Sequence, residues 1–345
     1  MLNGTLELAD GTQIHGRSIG APTFSSGEVV FTTGMVGYPE ALTDLSYRGQ
    51  ILVFTYPLIG SYGVKDKTYE SQAIQVEGVI MSEEVNNYSH HSAVKNITTW
   101  FEEQGVPALS GIDTRALTLK LRESGVMGGK LYFHEEDKNR EIVDNNTSNL
   151  PAEISVSKPI TLGKGKTHLG LVDCGTKQGI IDSLLAEKVK ITILPWNWSS
   201  LEEYDGVVVG NGPGDPKMLT ETVENIRSYM NCKKPLLGIC LGNQIISLAA
   251  GGDTYKLAFG HRSHNQPVLD RSTNKAYLTT QNHGYAVDSK KLPRLWEEWF
   301  VNLNDHTNEG IKHKTLPFMS TQFHPEGRPG PEDTNWLFRY FVKLC

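Results

Sequence analysis

The chain has 345 residues, of which 38% are hydrophobic and 21% are charged, and its formal net charge at pH 7 is -6. This composition predicts a soluble protein of about two domains, and the lack of a basic run argues against nucleic-acid binding. No apolar run is long enough for a membrane span, and no secretory signal pattern is present, so we expect a cytoplasmic protein. The four cysteines show no C-x-x-C spacing, which argues against a disulfide framework or a zinc knuckle.

The first hundred or so residues are rich in glycine and in residues that favour strands. Asp10-Gly11 separates two short apolar-polar runs, residues 4–8 and 12–16, and this pattern predicts a β-hairpin. Residues 28–33 and 50–55 are further strand candidates. The beginning of the chain is therefore predicted to be β-rich.

Helical patterns follow this β-rich stretch. We expect one amphipathic helix over residues 92–104 and another over residues 116–123, the second with Asp113 near its start and Gly125 at its end. Residues 135–165 are polar with little periodicity and are interpreted as a linker. The sequence thus predicts an α+β domain over residues 1–150 and a second domain over residues 166–345.

The second domain alternates apolar strands with helices. The predicted strands are residues 169–173, 190–194 and 206–210, and the predicted helices are residues 177–187 and 221–230. Such alternation is typical of an open, mostly parallel sheet with helices on both faces, and hence of an α/β fold. Ligands of these sheets bind outside the carboxyl ends of the strands.

A sharp strand-to-helix turn is predicted around Cys240. The apolar run 235–239 suits a buried strand, a helical apolar spacing follows, and Gly238 and Gly242 flank the cysteine at two residues on either side. This is the cysteine counterpart of the G-x-S-x-G nucleophile elbow, whose helix N-terminus favours negative charge on the nucleophile. The alternative interpretation is a buried structural cysteine beside a helix-capping glycine.

Two other segments carry candidate chemistry. Residues 211–216, Asn-Gly-Pro-Gly-Asp-Pro, form a rigid loop whose backbone N–H groups can face a ligand, although most such loops are only tight connections. The predicted strand 318–323 ends at His324, and Glu326 lies two residues further on. In extended backbone both side chains point the same way, so Glu326 can orient the imidazole of His324.

Residues 280–288 hold further polar groups at a strand edge. Asn282 and Gly284 could contact an amino-acid substrate, and His283 is a second candidate base without a carboxylate within two residues. His261 and His264 are three residues apart and lack a nearby acidic or cysteine partner. We therefore expect no metal site, and we expect solvated or ring-stacked histidines.

The motifs together resemble those of two related groups of proteins. Gly-Ile-Cys-Leu-Gly-Asn-Gln at 238–244, Phe-His-Pro-Glu at 323–326 and the 211–216 loop resemble class I, triad-type glutamine amidotransferases. The more specific resemblance is to carbamoyl phosphate synthetase small subunits, and it covers almost the whole chain. It is carried by residues 27–44, 50–52, 55–60, 111–115, 128–131, 281–285 and 330–333.

This resemblance implies a role for each matching residue. Cys240 is the nucleophile, His324 the general base and acid, and Glu326 the orienting carboxylate. The backbone N–H groups of Leu241 and Gly212 form the oxyanion hole. The glutamine-binding positions implied by the resemblance are Ser46, Gly212, Gly214, Leu241, Gln244, Asn282, Gly284 and Tyr285. Asn243 departs from the histidine of many relatives, and we expect it to affect the rate more than the chemistry.

The resemblance implies an enzyme that hydrolyses L-glutamine to glutamate and ammonia. A large synthetase subunit or domain is then the expected partner, which uses ammonia, bicarbonate and ATP to make carbamoyl phosphate for pyrimidine or arginine biosynthesis. This chain lacks a phosphate-binding loop, so we expect ATP and magnesium to belong to the partner and no cofactor to belong to this chain. The mitochondrial matrix is the alternative compartment if a presequence has been removed.

Three other functions remain open from the residues. The chain could be an amidotransferase for anthranilate, aminodeoxychorismate or GMP synthesis, which would leave its N-terminal domain without a role. It could be a non-catalytic regulatory subunit, against which the complete Cys240, His324 and Glu326 set argues. It could also be a cysteine hydrolase with another substrate, because triads recur on unrelated folds.

Overall fold

The computed structural model describes residues 2–67, 69–85 and 87–345. The chain divides into two compact units, the first ending at residue 146 and the second beginning at residue 147. Throughout the described part of the chain, every helix is too short or too polar to cross a membrane.

The first unit is built around a closed barrel of seven strands. Around the barrel the strands follow the order β1-β2-β8-β6-β4-β3-β9, and β9 pairs with β1 to close it. A separate pair, β5 and β7, lies outside the barrel. The strands of this unit are β1 (Asn3–Leu8), β2 (Gln13–Ser18), β3 (Ser25–Thr32), β4 (Gln50–Phe54), β5 (Val64–Lys65), β6 (Gly78–Ile80), β7 (Ala93–Lys95), β8 (Ala108–Ser110) and β9 (Met127–Tyr132).

Local sequence explains the first hairpin of the barrel, and long-range pairing explains its closure. Asp10 and Gly11 connect β1 to β2, with Gly11 at a φ of 84° that suits glycine. In contrast, β3, β4, β6 and β8 pair in parallel, and these pairings join segments far apart in the chain. The predicted β-rich character is confirmed, and the barrel is the way in which these strands leave no free sheet edge.

The helices of the first unit are α1 (Tyr38–Leu42), α2 (Ile97–Glu103) and α3 (Thr114–Ser124). The expectation that a helix begins at residue 92 is wrong. Asn96 caps α2 by accepting a hydrogen bond of 2.8 Å from the N–H of Thr99, and the preceding residues form β7 instead. The predicted cap of α3 is present, because Asp113 accepts from the N–H of Ala116.

The second unit contains a sheet of ten strands in the order β10-β12-β11-β13-β14-β19-β18-β17-β15-β16. Its strands are β10 (Ile160–Leu162), β11 (His168–Asp173), β12 (Lys190–Pro195), β13 (Gly206–Val209), β14 (Leu236–Ile239), β15 (Thr254–Asp270), β16 (Lys275–Val287), β17 (Trp296–Asn302), β18 (Asn308–His313) and β19 (Phe318–Thr321). Its helices are α4 (Leu150–Ile154), α5 (Gln178–Ala186), α6 (Thr220–Met230), α7 (Leu241–Ala250) and α8 (Trp336–Val342).

The parallel strands form the centre of this sheet and the antiparallel strands its flanks. Strands β12, β11, β13, β14 and β19 are parallel, as the alternation of strands and helices predicts. Apolar residues from α5 and α8 pack in one core cluster, and those from α6 and α7 pack in another. Successive residues of the central strands belong to different clusters, so each cluster lies on one face of the sheet. Helices therefore cover both faces, which confirms the α/β fold.

The segment interpreted as a linker contains regular structure towards its end. It holds α4 and β10, and β10 pairs antiparallel with β12 at the margin of the parallel strands. Asn149 caps α4 through the N–H of Ala152. These short elements belong to the second unit. The residues around them are so polar that the sequence shows no hydrophobic periodicity from which a helix or a strand could be predicted.

The turn between β14 and α7 has the tight geometry that its glycines suggest. Strand β14 ends at Ile239 and α7 begins at Leu241, so Cys240 is the single connecting residue. A Cβ atom at Gly242 would lie 2.2 Å from the carbonyl oxygen of Val209, and one at Gly238 would lie 2.5 Å from the backbone of Gly242. The two glycines therefore let the helix approach β13 and β14 closely.

We expect Gly242→Ala to destabilise the protein by about 3 kcal/mol or more, because overpacking against rigid backbone forces the elbow to shift. Urea unfolding monitored by tryptophan fluorescence measures this change. Ala250→Gly, which changes one methyl group at the other end of α7, is the matched control and should cost about 1 kcal/mol. Equal, small effects of both substitutions would contradict this account of the elbow.

Candidate active site

Cys240 occupies the tip of the elbow in a backbone conformation that L-residues rarely adopt. Its φ is 56° and its ψ is -102°. The residue is buried, its N–H donates to the carbonyl oxygen of Thr321 at 2.8 Å, and its Sγ lies 3.6 Å from the carbonyl oxygen of Asn282. Strained backbone of this kind clusters at functional sites, because the surrounding structure must hold it in place.

His324 and Glu326 form a buried hydrogen-bonded pair just after β19. Nδ1 of His324 donates to Oε1 of Glu326 at 2.8 Å, since a carboxylate can only accept. The backbone N–H of His324 donates to the carbonyl oxygen of Thr280 at 2.9 Å, which fixes the histidine against β16. The other ring nitrogen, Nε2, is not engaged by Glu326, and the ring interacts with Cys240, so Nε2 remains able to exchange a proton there.

Lys177 is a member of this arrangement that the sequence analysis did not identify. Its Nζ lies 3.1 Å from Oε1 of Glu326 and donates to the carbonyl oxygen of Arg328 at 2.6 Å. The lysine is almost completely buried at the N-terminal end of α5. A lysine at the start of a helix is normally solvated, so the residue type gives no sign of burial. The sequence feature that points to the site is the position of Lys177 shortly after the carboxyl end of β11, where ligands of such sheets bind.

These charges shift the ionisation of the pair. Burial by itself lowers the pKa of His324, but the negative charges of Glu326 and Cys240 oppose it and hold that pKa well above its usual range. Burial raises the pKa of Glu326, while the positive charges of His324 and Lys177 bring it well below its usual range. The pair therefore favours an imidazolium beside a carboxylate, and this imidazolium can stabilise negative charge on sulfur.

The two residues predicted to form the oxyanion hole lie side by side. A Cβ atom at Gly212 would lie 2.0 Å from the carbonyl oxygen of Cys174 and 2.9 Å from Cδ2 of Leu241. Only glycine lets this loop pass so close to the elbow. Leu241 is the first residue of α7, where backbone N–H groups have no partner within the helix. Its role and that of Gly212 stay predictions.

The structure also locates the predicted glutamine-binding residues. Gln244 donates from Nε2 to the carbonyl oxygen of Tyr285 at 2.9 Å, so the elbow helix and β16 are tied together. Asn282 approaches Cys240 through its carbonyl oxygen, and Gly284 lies between Asn282 and Tyr285 on the same strand. Their contacts with substrate stay predictions.

The two remaining predicted residues are Gly214 and Ser46. Gly214 is in the 211–216 loop with a φ of 86°, and the atoms nearest to a Cβ there belong to Leu150. Ser46 belongs to the first unit, where its backbone N–H donates to Asp44 at 2.9 Å. The proposed glutamine contacts of both residues stay predictions.

Asn243 has a defined structural role. Its side chain is fully buried, accepts from Oγ of Ser320 at 2.7 Å and donates to Oε1 of Gln322 at 3.1 Å. Gln322 also accepts from Gln244 at 3.1 Å. These bonds hold the strand that leads to His324, so the amide occupies its position with both of its polar atoms paired.

The expectation that His261 lacks an acidic partner is wrong. His261 has two acidic partners that are distant in sequence, with Nε2 at 2.8 Å from Asp305 and Nδ1 at 3.3 Å from Glu309. The expected ring contact is present, since its ring meets that of His283 edge to face. Sequence proximity could not reveal these partners, because they lie more than 40 residues along the chain.

Family models and curated relatives point to the same group of proteins. The family model "Glutamine amidotransferase class-I" matches residues 170–344, and "Carbamoyl-phosphate synthase small chain, CPSase domain" matches residues 6–131. The carbamoyl phosphate synthase arginine-specific small chain of Chaetomium globosum is 43% identical over 99% of this chain and 78% of its own length. That of Neurospora crassa is 44% identical over 98% of this chain and 79% of its own length.

A solved structure of a glutamine amidotransferase from Thermotoga maritima is similar to part of the chain. The match covers 52% of this chain and 85% of that one, with 21% identity and a TM-score of 0.41.

We expect Glu326→Gln to lower the rate of glutamine hydrolysis by about 10²-fold, because the imidazole loses the charge that holds its imidazolium form. The pKa of His324, followed by NMR, should fall in the same variant. Glu332→Gln is the matched control, since Glu332 is an exposed acid on the same loop. An unchanged pKa of His324 would contradict the electrostatic role of Glu326, whatever the effect on stability.

Proposed function

The chain belongs to the family of carbamoyl phosphate synthase small chains, and we propose that it releases ammonia from glutamine at Cys240. The observation that carries this proposal is the convergence of Cys240, at a strained elbow, with the buried His324–Glu326 pair. The resemblance to small chains over 98–99% of this chain distinguishes this function from that of amidotransferases for other pathways.

The first half of the reaction forms a covalent intermediate. The Cys240 thiolate attacks the side-chain amide carbon of glutamine, and the carbonyl oxygen becomes an oxyanion. In this proposal the backbone N–H groups of Leu241 and Gly212 donate hydrogen bonds to that oxyanion at the N-terminal end of α7. His324, as the imidazolium, gives a proton to the departing amine, so the products of this step are ammonia and a glutamyl thioester.

The second half releases glutamate. His324, now neutral, takes a proton from water, and the resulting hydroxide attacks the thioester carbon. The tetrahedral intermediate collapses, the C–S bond breaks and Cys240 returns to the thiolate. Glu326 keeps the imidazole in the tautomer with its Nδ1 proton throughout, and Lys177 holds Glu326 in position.

The partner follows from the chemistry of the product. Free ammonia is protonated in water near neutral pH and is then a poor nucleophile, so it must reach its acceptor through a protected path. We propose that this acceptor is a large synthetase subunit, which holds the ATP, magnesium and bicarbonate of the overall reaction. The relatives named above are arginine-specific small chains, which favours arginine biosynthesis over pyrimidine biosynthesis for this chain.

We expect Cys240→Ser to reduce glutamine-dependent ammonia release by at least about 10³-fold, because removal of a triad nucleophile costs several orders of magnitude. The measurement uses the chain assembled with a large synthetase subunit, with glutamate and carbamoyl phosphate both quantified. Carbamoyl phosphate formation from added ammonium should persist in the variant, since that step belongs to the partner.

Cys232→Ser is the matched control, because Cys232 is an exposed free cysteine in the same unit. It should leave both activities unchanged. A folded wild-type assembly that makes carbamoyl phosphate from ammonium but not from glutamine would overturn the proposal and favour a regulatory subunit. Residual glutaminase activity of Cys240→Ser at the wild-type rate would overturn the assigned nucleophile.

A further inference from the structure

Three side chains of the type that binds metals meet inside the second unit. They are His261 on β15, His283 on β16 and Glu309 on β18. His261 and His283 are direct cross-strand partners, and their rings lie 4.9 Å apart at 81°. One possible ligand atom of each residue lies within 4.8 Å of the other two, and the cluster is the one such group within the described residues.

The separations in this cluster are close to those around a single ion. Nδ1 of His261 lies 3.3 Å from Oε1 of Glu309, and Nε2 of His283 lies 3.8 Å from the same oxygen. Zinc holds nitrogen and oxygen ligands at about 2.0–2.2 Å, so the ligand atoms of a tetrahedral site are roughly 3.3 Å apart. Small side-chain movements would bring all three atoms onto one ion.

Hydrogen bonds on the side away from Glu309 determine which ring nitrogen of each histidine faces the cluster. Nε2 of His261 donates to Asp305 at 2.8 Å, and Nδ1 of His283 donates to the carbonyl oxygen of Tyr285 at 2.8 Å. Both acceptors can only accept, so the outer nitrogens carry the protons and the inner nitrogens of neutral rings present lone pairs. The inner nitrogen of His283, Nε2, also lies 3.3 Å from Oε1 of Gln281. Metal-ligating histidines are oriented in this way by carboxylates and backbone carbonyls.

The inward-facing carboxylate of Glu309 has only long contacts with the surrounding donors of the described residues. Glu309 is completely buried, and its Oε2 has no hydrogen-bond partner among the described residues. Its Oε1 accepts from Asn302 at 3.4 Å and from Thr307 at 3.5 Å, and lies 3.3 Å from Nδ1 of His261. A carboxylate that faces two lone pairs in a buried site is costly unless a positive charge lies between them.

A proton is the alternative occupant. Burial lowers the pKa of His261, but Asp305 and Glu309 raise it to about 9, which would allow an imidazolium. However, Nδ1 of His261 lies 3.3 Å from Oε1 of Glu309, which is longer than the usual distance of about 2.7–2.9 Å in a charge-assisted hydrogen bond. A bound ion would engage Nδ1 and the carboxylate together at this separation.

We propose that His261, His283 and Glu309 bind one zinc-like divalent transition-metal ion, with Asp305 and the Tyr285 carbonyl orienting the two rings. Two imidazole ligands favour zinc over magnesium or calcium, which prefer oxygen. Asp305 is 42% exposed on its side chain, so the outer edge of the cluster reaches solvent and an ion has a route inwards.

The expected effect of the ion is structural. His283 immediately follows Asn282, whose carbonyl oxygen faces Sγ of Cys240 at 3.6 Å. An ion that ties His283 to β15 and β18 would hold this strand in place beside the nucleophile. Metal binding itself does not depend on glutamine hydrolysis, so the two proposals can fail separately.

The test measures zinc bound to the purified full chain after chelator treatment and re-addition of one equivalent of Zn²⁺. We expect one Zn²⁺ per chain by mass spectrometry of the metal, a raised melting temperature, and the intense visible bands of tetrahedral coordination when Co²⁺ is used instead. Glu309→Gln should weaken Zn²⁺ binding at least 100-fold, and Asp305→Asn should weaken it about 10- to 100-fold by loosening His261.

Two controls separate this site from other metal-binding groups. His264→Asn changes a histidine on the same strand outside the cluster, and Cys240→Ser removes the thiol of the candidate active site. Both should keep one Zn²⁺ per chain. Absence of stoichiometric Zn²⁺ in the wild-type chain would overturn the proposal in favour of the protonated His261–Glu309 pair, and unchanged binding in Glu309→Gln and Asp305→Asn would overturn it in favour of another site.

Discussion

The second unit depends on one steric constraint, which is the direct transition from β14 to α7 through Cys240. A single connecting residue has to reverse the backbone, and it does so at a φ of 56°. The close approach that this requires is open only to glycine at positions 238 and 242. The same strand pairs with β19, so the constraint also sets where the chain leaves the sheet to deliver His324. The pairing of β14 with β19 therefore positions both the nucleophile and the base.

The electrostatic character of the site follows from the sharing of one carboxylate by two cations. Glu326 faces both the His324 imidazole and the Lys177 ammonium in a region without solvent exposure. When His324 is protonated, these three groups carry one surplus positive charge. That surplus is compensated when sulfur or the substrate oxygen is negative, so the buried charges match the charged intermediates of the reaction.

The parts of the structure that the sequence predicted are those with local signals. The elbow, the Asp113 cap and the central parallel strands depend on residues within one turn or one strand of each other. The antiparallel hairpin of β15 and β16, the closure of the barrel and the partners of His261 depend on contacts between distant segments. A single sequence contains no record of such contacts, and a buried lysine such as Lys177 looks like an ordinary solvated one. The glutamine contacts, including that of Ser46, stay predictions.

The short strand β10 has a consequence for how the second unit can be separated from the rest of the chain. β10 satisfies the outer hydrogen-bonding groups of β12 through residues 160–162. A fragment that begins at residue 166 would lack this cover and would expose a row of unpaired backbone groups on an apolar strand. Exposed strand edges of this kind recruit other chains into intermolecular sheets. The polar stretch before the parallel strands therefore protects the sheet from aggregation, because its β10 covers the edge of β12.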